Sequence, residues 1–308
     1  MATSVPPLHD VDIRLLRLFK AVVDCEGFAA AEDTLGVGRS TISKHISDLE
    51  ARMGVRLCER GRSGFALTPH GRIVYESGLE LLDSLDRFRS QVSSAKGELT
   101  GDISLWVMDS TPLEVGNPLS HALDRFVTRT NKVHLAINTA APHVVEDAIG
   151  ARRAHVGLSV AKSDIPALDY LPVGYEATSL YCSSKHELAE RPSQFDKVDF
   201  SHYNLVMRRY NRSPHGFRGQ SWSSSATAYH VEGTVQLILS GRFVGILPDH
   251  IATRWVSTGH MVRIPLAQTQ RRSRVYVIYL RQQRNIPLIK ALVEDIAKSY
   301  KDVQSERR

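Results

Sequence analysis

Six short polar or basic side chains share one face of a helix that the spacing of its apolar residues predicts. Ile42, Ile46 and Leu49 recur at intervals of four and three positions, which is typical of the buried face of a helix. The opposite face carries Arg39, Ser40, Thr41, Ser43, Lys44 and Ser47. Short hydrogen-bonding groups beside basic ones suit a helix that enters the major groove of DNA. The pattern indicates a helix that reads double-stranded DNA.

The segment at residues 28–49 predicts how this helix is positioned. A short helix ends at Leu35, Gly36 allows a sharp turn, and Val37 is expected to return to the core. Two helices joined by such a turn form a helix-turn-helix. An ordinary helical hairpin in a globular core fits the segment equally well, so its neighbours must decide between the two interpretations.

The flanking segments add a helix and a hairpin. Residues 13–25 form an amphipathic helix that Gly27 ends. Residues 55–68 predict two strands around the turn GRSG, a wing with Arg60 and Arg62 at its tip. Arginine at such a tip commonly contacts phosphate or the minor groove. A solvated turn is the alternative.

A long helix follows the wing. Thr68 and Pro69 begin it, with proline in the first turn, and it extends to about Lys96. One heptad seam along it comprises Val74, Gly78, Leu81, Leu85, Phe88, Val92 and Ala95. Such a seam predicts pairing with a second copy of the chain, although a stripe of this kind also packs on its own domain. GELTGD, at residues 97–102, is expected to be a linker.

The remaining sequence alternates strands and helices. The first set comprises strands at 103–107, 133–138 and 155–160, with helices at 112–129 and 143–153. This order predicts a parallel sheet covered by helices. The second set comprises the strands SLYCSS, NLVMR and FVGIL, a helix at about 233–240, a helix after Pro248, a strand at 275–280 and a helix at 287–300. Two α/β lobes in succession predict a ligand-binding cleft beyond the carboxyl ends of strands.

Polar residues from both lobes are expected to line this cleft. They are Ser110 and Thr111 after the first strand, Thr139 and Ala140 after the second, and Arg208, His230 and Thr234 in the second lobe. The helix predicted at Pro112 would offer free N–H groups to an anion, and either Arg208 or Arg209 would clamp a carboxylate. Asp109 would repel an anion, so it either points away or prefers an amine. Helix capping by Ser110 and Thr111 is an equally good interpretation. The set favours a small organic anion.

Composition and charge limit the class of protein. The 308 residues carry a formal net charge of +6. Residues 1–66 hold nine basic and nine acidic side chains, and nine minus nine is zero. A DNA contact must therefore depend on a few placed residues more than on bulk charge. The apolar runs are too short to span a bilayer, and the N-terminus lacks a secretory signal, which predicts a cytoplasmic protein.

The three cysteines indicate no metal site. Cys25, Cys58 and Cys182 lie far apart and have neither metal-ligand spacing nor the pattern of a disulfide framework. No cofactor is predicted, and a reducing compartment is the natural setting.

Taken together, these segments resemble a LysR-type transcriptional regulator over nearly the whole chain. LRLFKAVVDCEGF is similar to the family's first helix, and AAAEDTLGVGRSTISKHISDLEARMGVRLCER to its helix-turn-helix and wing. SSKHELAE and SGRFVGILP resemble segments of its two-lobed effector domain, which is similar in fold to periplasmic binding proteins. The chain departs from the family pattern at Glu32, at Gly38-Arg39-Ser40 and at Cys58.

The resemblance implies an α/β chain in four parts. These are a winged helix-turn-helix, mainly α, at residues 1–68, a linker and dimerisation helix at 69–97, effector lobe I at 101–163 plus 281–305, and effector lobe II at 164–280. The base contacts would lie at Arg39, Ser40, Thr41, Ser43 and Lys44, with Arg39 or Lys44 reading guanine. Ser110 and Thr111 match positions that the family uses for ligand carboxylates.

The resemblance also implies a function and its partners. The chain would be a sequence-specific regulator of transcription whose effector domain senses a small molecule and alters promoter binding by a population shift. Its partners would be double-stranded DNA, a small-molecule effector, further copies of the chain in a dimer or tetramer, and RNA polymerase, with no membrane partner.

Four alternatives differ in class or mechanism. An enzyme is disfavoured because the sequence contains no HExxH, Gly-rich phosphate loop or nucleophile elbow. An exported binding protein is disfavoured because a DNA reader is attached and no export signal is present. A redox-responsive regulator of this architecture would need two effector-domain cysteines, whereas only Cys182 lies there. An effector-independent regulator stays open.

Overall fold

The computed structural model describes residues 7–61, 64–113, 116–130, 132–190, 199–209 and 224–306. The chain divides into two compact units, Met1–Lys96 and Gly97–Arg308. Each unit is described by itself below.

The N-terminal unit contains three helices, a hairpin and a long helix. Its elements are α1 (Asp10–Asp24), α2 (Phe28–Leu35), α3 (Arg39–Met53), β1 (Cys58–Gly61), β2 (Gly64–Leu67) and α4 (Pro69–Ala95). Gly36 ends α2 with a φ of 65°, a left-handed conformation that glycine adopts without steric cost. The predicted turn is therefore confirmed. Val37 was expected in the core, but its side chain is 37% exposed, so that prediction was wrong.

The core of this unit lies where α1, α2 and α3 meet. Phe19, Ile42 and Ile46 are buried in one apolar cluster. Beside it, the buried Asp12 of α1 accepts hydrogen bonds from the Arg52 guanidinium of α3. These hydrogen bonds lower the pKa of Asp12, since they favour its charged form. The two helices are thereby joined by a charged contact as well as by apolar packing.

The apolar stripe of α4 divides into two halves. Val74 and Leu81 pack against the apolar cluster of the N-terminal unit. Further along, the side chain of Phe88 is 65% exposed and that of Val92 is 44% exposed. The first half therefore packs on its own domain, as the alternative interpretation proposed. The expectation of a paired helix depends on the second half.

The C-terminal unit is an α/β fold. Its elements are β3 (Gly101–Met108), α5 (Pro118–Thr128), β4 (Val133–Ala140), α6 (Pro142–Gly150), β5 (Val156–Ser159), β6 (Leu168–Ser183), β7 (Leu205–Arg208), β8 (Ser224–Ala228), α7 (Val231–Leu239), β9 (Val244–Pro248), α8 (Asp249–Ser257), β10 (Met261–Ile264), β11 (Arg271–Leu280) and α9 (Pro287–Glu306). Strands β8 and β10 were not predicted from the sequence.

The sheet as a whole is mixed, and a parallel arrangement was predicted for its first three strands. Strand β3 pairs in parallel with β4 and β5, as the βαβαβ order implied. The long strands β6 and β11 instead pair antiparallel with each other, and β11 pairs antiparallel with β5. Strand β11 lies between β5 and β6 and runs antiparallel to both. The parallel arrangement predicted for the strands at 103–107, 133–138 and 155–160 is therefore confirmed, and the antiparallel pairs lie outside that prediction.

Strands β6 and β11 are shared by two lobes. The first lobe comprises β3 to β5 with α5, α6 and α9, and its core includes Leu105, Phe126 and Leu292. The second lobe comprises β7 to β10 with α7 and α8, and its core includes Ile238 and Leu247. Because β6 and β11 cross from one lobe to the other, the lobes meet along continuous strands, and residues after β3 can approach those after β7.

Helix α5 begins later than the sequence predicted. It starts at Pro118, where the Asn117 side chain accepts a hydrogen bond from Ser120 N at 2.9 Å. The loop after β3 forms a turn instead, in which Thr111 N donates to Met108 O at 2.9 Å. The prediction of a helix start at Pro112 was wrong, and Ser110 and Thr111 do not cap α5.

Gly71 in the first turn of α4 provides a test of this fold. A Cβ atom on Gly71 would lie 1.9 Å from Leu57 O, a backbone atom that cannot move aside alone. Overpacking of this kind costs about 1–3 kcal/mol. We expect Gly71→Ala to lower the free energy of unfolding of the N-terminal unit by about that amount in urea titrations.

Gly38→Ala is the matched control, because a Cβ there meets nothing within 4 Å. It should cost less than about 1 kcal/mol, the usual effect of replacing an N-cap glycine. Equal losses in the two variants would contradict the close approach of α4 to Leu57.

Candidate nucleic-acid interface and interlobe site

Helix α3 presents the predicted polar face to solvent. Ile42, Ile46 and Leu49 are fully buried. The exposed residues of the other face are Arg39, Ser40, Thr41, Lys44 and Ser47, with Ser43 half-buried. The predicted division of the helix into a packed face and a polar face is confirmed. The side chains needed for major-groove contacts are therefore accessible.

Glu32 of α2 caps the start of this helix. Its Oε1 accepts a hydrogen bond from Arg39 N at 2.5 Å. Gly38 occupies the N-cap position and has no side chain to do so. A carboxylate at a helix N-terminus satisfies a free N–H group and opposes the positive end of the helix dipole. Both Glu32 and Gly38 differ from the family pattern. The side chain of Glu32 thus supplies the cap that Gly38 lacks, and neither residue alone indicates this relation.

An open groove lies between the start of α3 and the hairpin. Its volume is about 740 Å³, and its lining includes Arg39, Ser40 and Ser43 from α3 with Glu59 and Phe65 from the hairpin. The groove places the first turn of α3 and the wing on one surface. Arg62 and the side chain of Arg60 lie outside the described residues, so their predicted contacts stay predictions.

In the C-terminal unit, Asp109 joins the two lobes. It follows β3 in the first lobe, and its Oδ2 accepts hydrogen bonds from the Arg208 guanidinium and from Val231 N, the latter at 2.9 Å. Arg208 ends β7, and Val231 begins α7, so both donors belong to the second lobe. His230 Nδ1 lies 3.7 Å from the same oxygen. Asp109 therefore balances the Arg208 charge and the positive end of α7.

A second carboxylate lies at the same junction. Glu176, in β6, is 7% exposed, and burial raises its pKa to about 7 against the lowering influence of Ser110 and Arg208. Glu176 could not be recognised from the sequence, because it lies within a strand whose residue pattern indicates only structure.

Polar atoms at this junction lack partners. Within the described ranges, Asp109 Oδ1, Glu176 Oε1 and Thr234 Oγ1 are buried and accept or donate no hydrogen bond. A buried polar atom without a partner is costly, and such atoms concentrate where a ligand or water completes the site. They come from the first lobe, a crossing strand and the second lobe, so they mark an interlobe site.

The other predicted cleft residues differ in their surroundings. Thr111 donates its hydroxyl to Met108 O at 2.7 Å and so stabilises the turn. Ala140 O accepts from Asp109 N at 2.9 Å, while Thr139 is exposed at the end of β4. Arg209 lies with its guanidinium 5.1 Å from the centre of the Tyr229 ring, on the surface. Arg208 is thus the arginine at the interlobe site.

Cys182 is a poor redox sensor. It is fully buried within the second lobe, and burial raises the pKa of its thiol to about 12. Oxidation requires an accessible thiolate. This environment disfavours the redox-responsive alternative.

Within the described ranges, no group of three or more His, Cys, Asp or Glu side chains is placed to hold a metal ion. No helix in those ranges is both long and apolar enough to cross a membrane.

A DNA-reading helix-turn-helix followed by a two-lobed domain with an interlobe site defines a class of ligand-responsive DNA-binding proteins, and comparisons with known proteins identify the family. The family model described as "LysR substrate binding domain" matches residues 96–300. The model described as "Bacterial regulatory helix-turn-helix protein, lysR family" matches residues 13–72.

Curated relatives agree with these matches. The chain is 39% identical over 258 residues to the HTH-type transcriptional activator BauR of Pseudomonas aeruginosa, a match covering 83% of this chain and 85% of that protein. It is 23% identical over 309 residues to the HTH-type transcriptional regulator PtxR of the same species, covering 96% and 95%.

Solved structures share the fold. A full-length variant of AphB superimposes with a TM-score of 0.63 at 15% identity, covering 92% of this chain and 98% of that one. Full-length CbnR complexed with its target DNA gives 0.58 at 20% identity, covering 93% and 99%. LysG from Corynebacterium glutamicum with bound effector Arg gives 0.57 at 12% identity, covering 94% and 98%.

The chain belongs to the LysR family of transcriptional regulators. It is a DNA-binding regulator with an effector-binding domain rather than an enzyme, in agreement with the names of its relatives.

Lys44 offers a test of the α3 face. Its side chain is exposed in the middle of the polar face. If it contacts a base or a phosphate, Lys44→Ala should weaken binding without unfolding the protein. We expect a roughly 5- to 150-fold loss, since a good base contact contributes about 1–3 kcal/mol. Mobility shifts on a DNA fragment selected by the wild-type protein from a random pool would measure it.

Lys96→Ala is the control, because Lys96 follows α4 and is also exposed. It removes the same charge from the same unit. An unchanged affinity for Lys44→Ala, or equal losses in both variants, would place Lys44 outside the contact set.

The raised pKa of Glu176 predicts that the stability of the folded protein depends on pH. Its pKa is about 7 in the folded protein against 4.5 ordinarily, so the folded state holds a proton that the unfolded chain releases between those values. Stability should therefore fall as pH rises from about 4.5 through 7, by up to about 3 kcal/mol from this group. In Glu176→Gln, which is neutral at every pH, this contribution should vanish from unfolding free energies measured across that range.

Glu294→Gln is the control, because Glu294 is 58% exposed on α9. It should follow the wild-type profile. A Glu176→Gln profile parallel to that of the wild type would contradict a protonated buried Glu176.

Proposed function

We propose that this regulator senses a small organic acid at the interlobe site, and that binding changes how it engages a promoter. The observation that carries the proposal is that Asp109 and Glu176, which influence each other electrostatically, each have a buried oxygen without a partner among the described residues, as does Thr234 in α7. Because these atoms come from both lobes and the strand between them, a ligand that pairs with them acts on the arrangement of the lobes.

A carboxylate-bearing effector has two donors at this site. Arg208 supplies a buried guanidinium, which binds carboxylates in a fixed geometry. The N–H of Val231 adds the start of α7, where a helix dipole favours negative charge. Asp109 currently accepts from both donors, so the effector must compete with a carboxylate of the protein itself.

Relatives support sensing of this kind. The LysG structure contains a bound effector, arginine, and the CbnR structure contains target DNA. At 12% and 20% identity these structures share the fold alone, so the class of effector here is argued from the residues of this chain.

DNA recognition would use the exposed face of α3. Arg39 and Lys44 would contact guanine or phosphate, and Ser40, Thr41 and Ser43 would contact neighbouring bases or phosphates. The wing residues Arg60 and Arg62 would add phosphate or minor-groove contacts. Such binding depends on placed residues, consistent with a zero net charge over residues 1–66.

Pairing of chains would place two α3 helices on one operator. The exposed Phe88 and Val92 of α4 support a contact with a second copy. A dimer doubles the DNA contact, and a homotetramer would let lobe movement change the spacing of the paired helices. Because the regulator would act at promoters, RNA polymerase would be a further partner, and the protein would be located in the cytoplasm.

Thr234 allows a test that separates ligand binding from stability. Its hydroxyl is fully buried and has no partner among the described residues. Replacing such a group with a methyl should be nearly neutral for stability. We expect Thr234→Val to fold as well as the wild type. The variant should lose most of the thermal stabilisation that the wild-type protein shows with whichever of citrate, succinate, butanoate, benzoate and 4-aminobutanoate it binds.

Thr269→Val is the matched control, because Thr269 is equally buried but donates its hydroxyl to Leu266 O at 2.7 Å. It should lose about 1 kcal/mol of stability and keep the ligand response. A wild-type protein that neither gains stability nor changes its DNA affinity with any of these acids would contradict the proposal.

A further inference from the structure

The interlobe site contains two buried carboxyl groups and the buried guanidinium of Arg208. Asp109 and Glu176 are both more than nine-tenths buried, and each has a carboxyl oxygen without a partner among the described residues. Arg208 faces them, and Glu176 releases its proton near pH 7. Once both carboxyl groups are ionised they only accept hydrogen bonds, so the two open oxygens then require donors from a ligand or from water.

A ligand with a carboxylate alone would fit this site poorly. Two of the donors that would receive it, Arg208 Nη2 and Val231 N, already bind Asp109 Oδ2. If a ligand carboxylate took those donors, Asp109 would lose its partners and face the new anion within a buried site. Like charges at short range in such surroundings repel strongly. The open oxygen of Glu176 would also remain without a donor.

A ligand with both charges solves each of these problems. Its ammonium group has three donors and suits the two carboxylates, while its carboxylate suits Arg208 and Val231 N. It would insert between Asp109 and Arg208, so that each keeps a partner of opposite charge. The net charge of the site would not change.

We propose that the effector is a zwitterion, a small amino acid whose ammonium binds Asp109 and Glu176 and whose carboxylate binds Arg208. This rests on the proposed function, since it assumes that a carboxylate-bearing molecule enters the interlobe site. The direct contact of Asp109 with the second lobe is then exchanged for a contact through the ligand. Because that contact joins the lobes, the exchange alters how they are held together.

His230, at the edge of the site, adds a reason why a ligand with an ammonium group would be favoured. Its ring is 59% exposed and Nδ1 lies 3.7 Å from Asp109 Oδ2. It therefore stands beside the carboxylate that would receive the ammonium group. When uncharged, it can accept a hydrogen bond from that group.

Matched ligands test the inference on the wild-type, full-length protein. The probes are glycine, 3-aminopropanoate, 4-aminobutanoate and 5-aminopentanoate, each compared with the carboxylate that lacks the amine and the amine that lacks the carboxylate. Calorimetry would measure the affinities, and thermal stabilisation would provide a second readout. We expect at least one amino acid to bind about ten-fold or more tightly than both of its matched probes, since each loses one charged contact.

Two variants assign the ammonium contact. Asp109→Asn and Glu176→Gln should each reduce the ratio of amino-acid affinity to carboxylate affinity by about ten-fold. Asp124→Asn, which changes a carboxylate on α5 away from the interlobe site, should leave that ratio unchanged. If Asp109→Asn does not fold, Glu176→Gln and the wild-type comparison still decide.

The outcomes distinguish this inference from the proposed function. Carboxylates that bind as tightly as their amino acids would overturn the zwitterion and leave an acid-sensing regulator. Amines that bind as tightly as the amino acids would overturn both, because no carboxylate would then be recognised. Absence of binding by every probe would also count against both.

Discussion

The carboxylate of Asp109 is the contact on which the arrangement of the C-terminal unit depends. It accepts hydrogen bonds from Arg208 and from Val231 N, and so joins the turn after β3 to the end of β7 and the start of α7. Removing one partner of a buried ion pair leaves the other charge uncompensated, which is strongly destabilising. The pair can therefore be exchanged for an equivalent set of contacts, but it cannot simply be lost. This constraint limits which molecules can act on the lobes.

The N-terminal unit meets a different requirement, which is accurate placement of a few side chains. Its overall charge supplies little attraction for DNA, so α3 must be held firmly. Glu32 binds the first N–H of α3, and Arg52 near its end binds the buried Asp12 of α1. The two contacts fix the start and the end of the helix. Apolar packing of Ile42, Ile46 and Leu49 determines which face remains exposed.

Local patterns predicted the elements of this protein well. The intervals between Ile42, Ile46 and Leu49, the left-handed Gly36 and the Thr68-Pro69 start of α4 each depend on neighbours in sequence, so each could be inferred from sequence. Long-range relations could not. The antiparallel pairing of β6 with β11 joins strands that are far apart in the chain. The stripe of α4 allowed packing on its own domain, but it did not show which of its residues contact that domain. The start of α5 was misplaced because Pro112 and Pro118 are both acceptable first residues of a helix.

The interlobe site shows the same division. Ser110, Arg208 and Thr234 became candidates from the sequence because ligands collect at the ends of strands and the starts of helices in α/β folds. Glu176 could not, since a glutamate within a strand is ordinarily a surface residue. That Asp109 accepts from Arg208 depends on two segments that are distant in sequence. The sequence therefore suggested an organic anion, while the spatial arrangement of the charges favours a zwitterion.

Amide hydrogen exchange at residues 230–234 tests most directly whether Asp109 joins the lobes. Val231 N is the donor whose protection depends on the Asp109 carboxylate. In Asp109→Ala, we predict faster exchange in the first turn of α7, with α9 and the N-terminal unit exchanging as in the wild type. Unchanged exchange in that turn would show that Asp109 does not hold the lobes together, and would contradict the account.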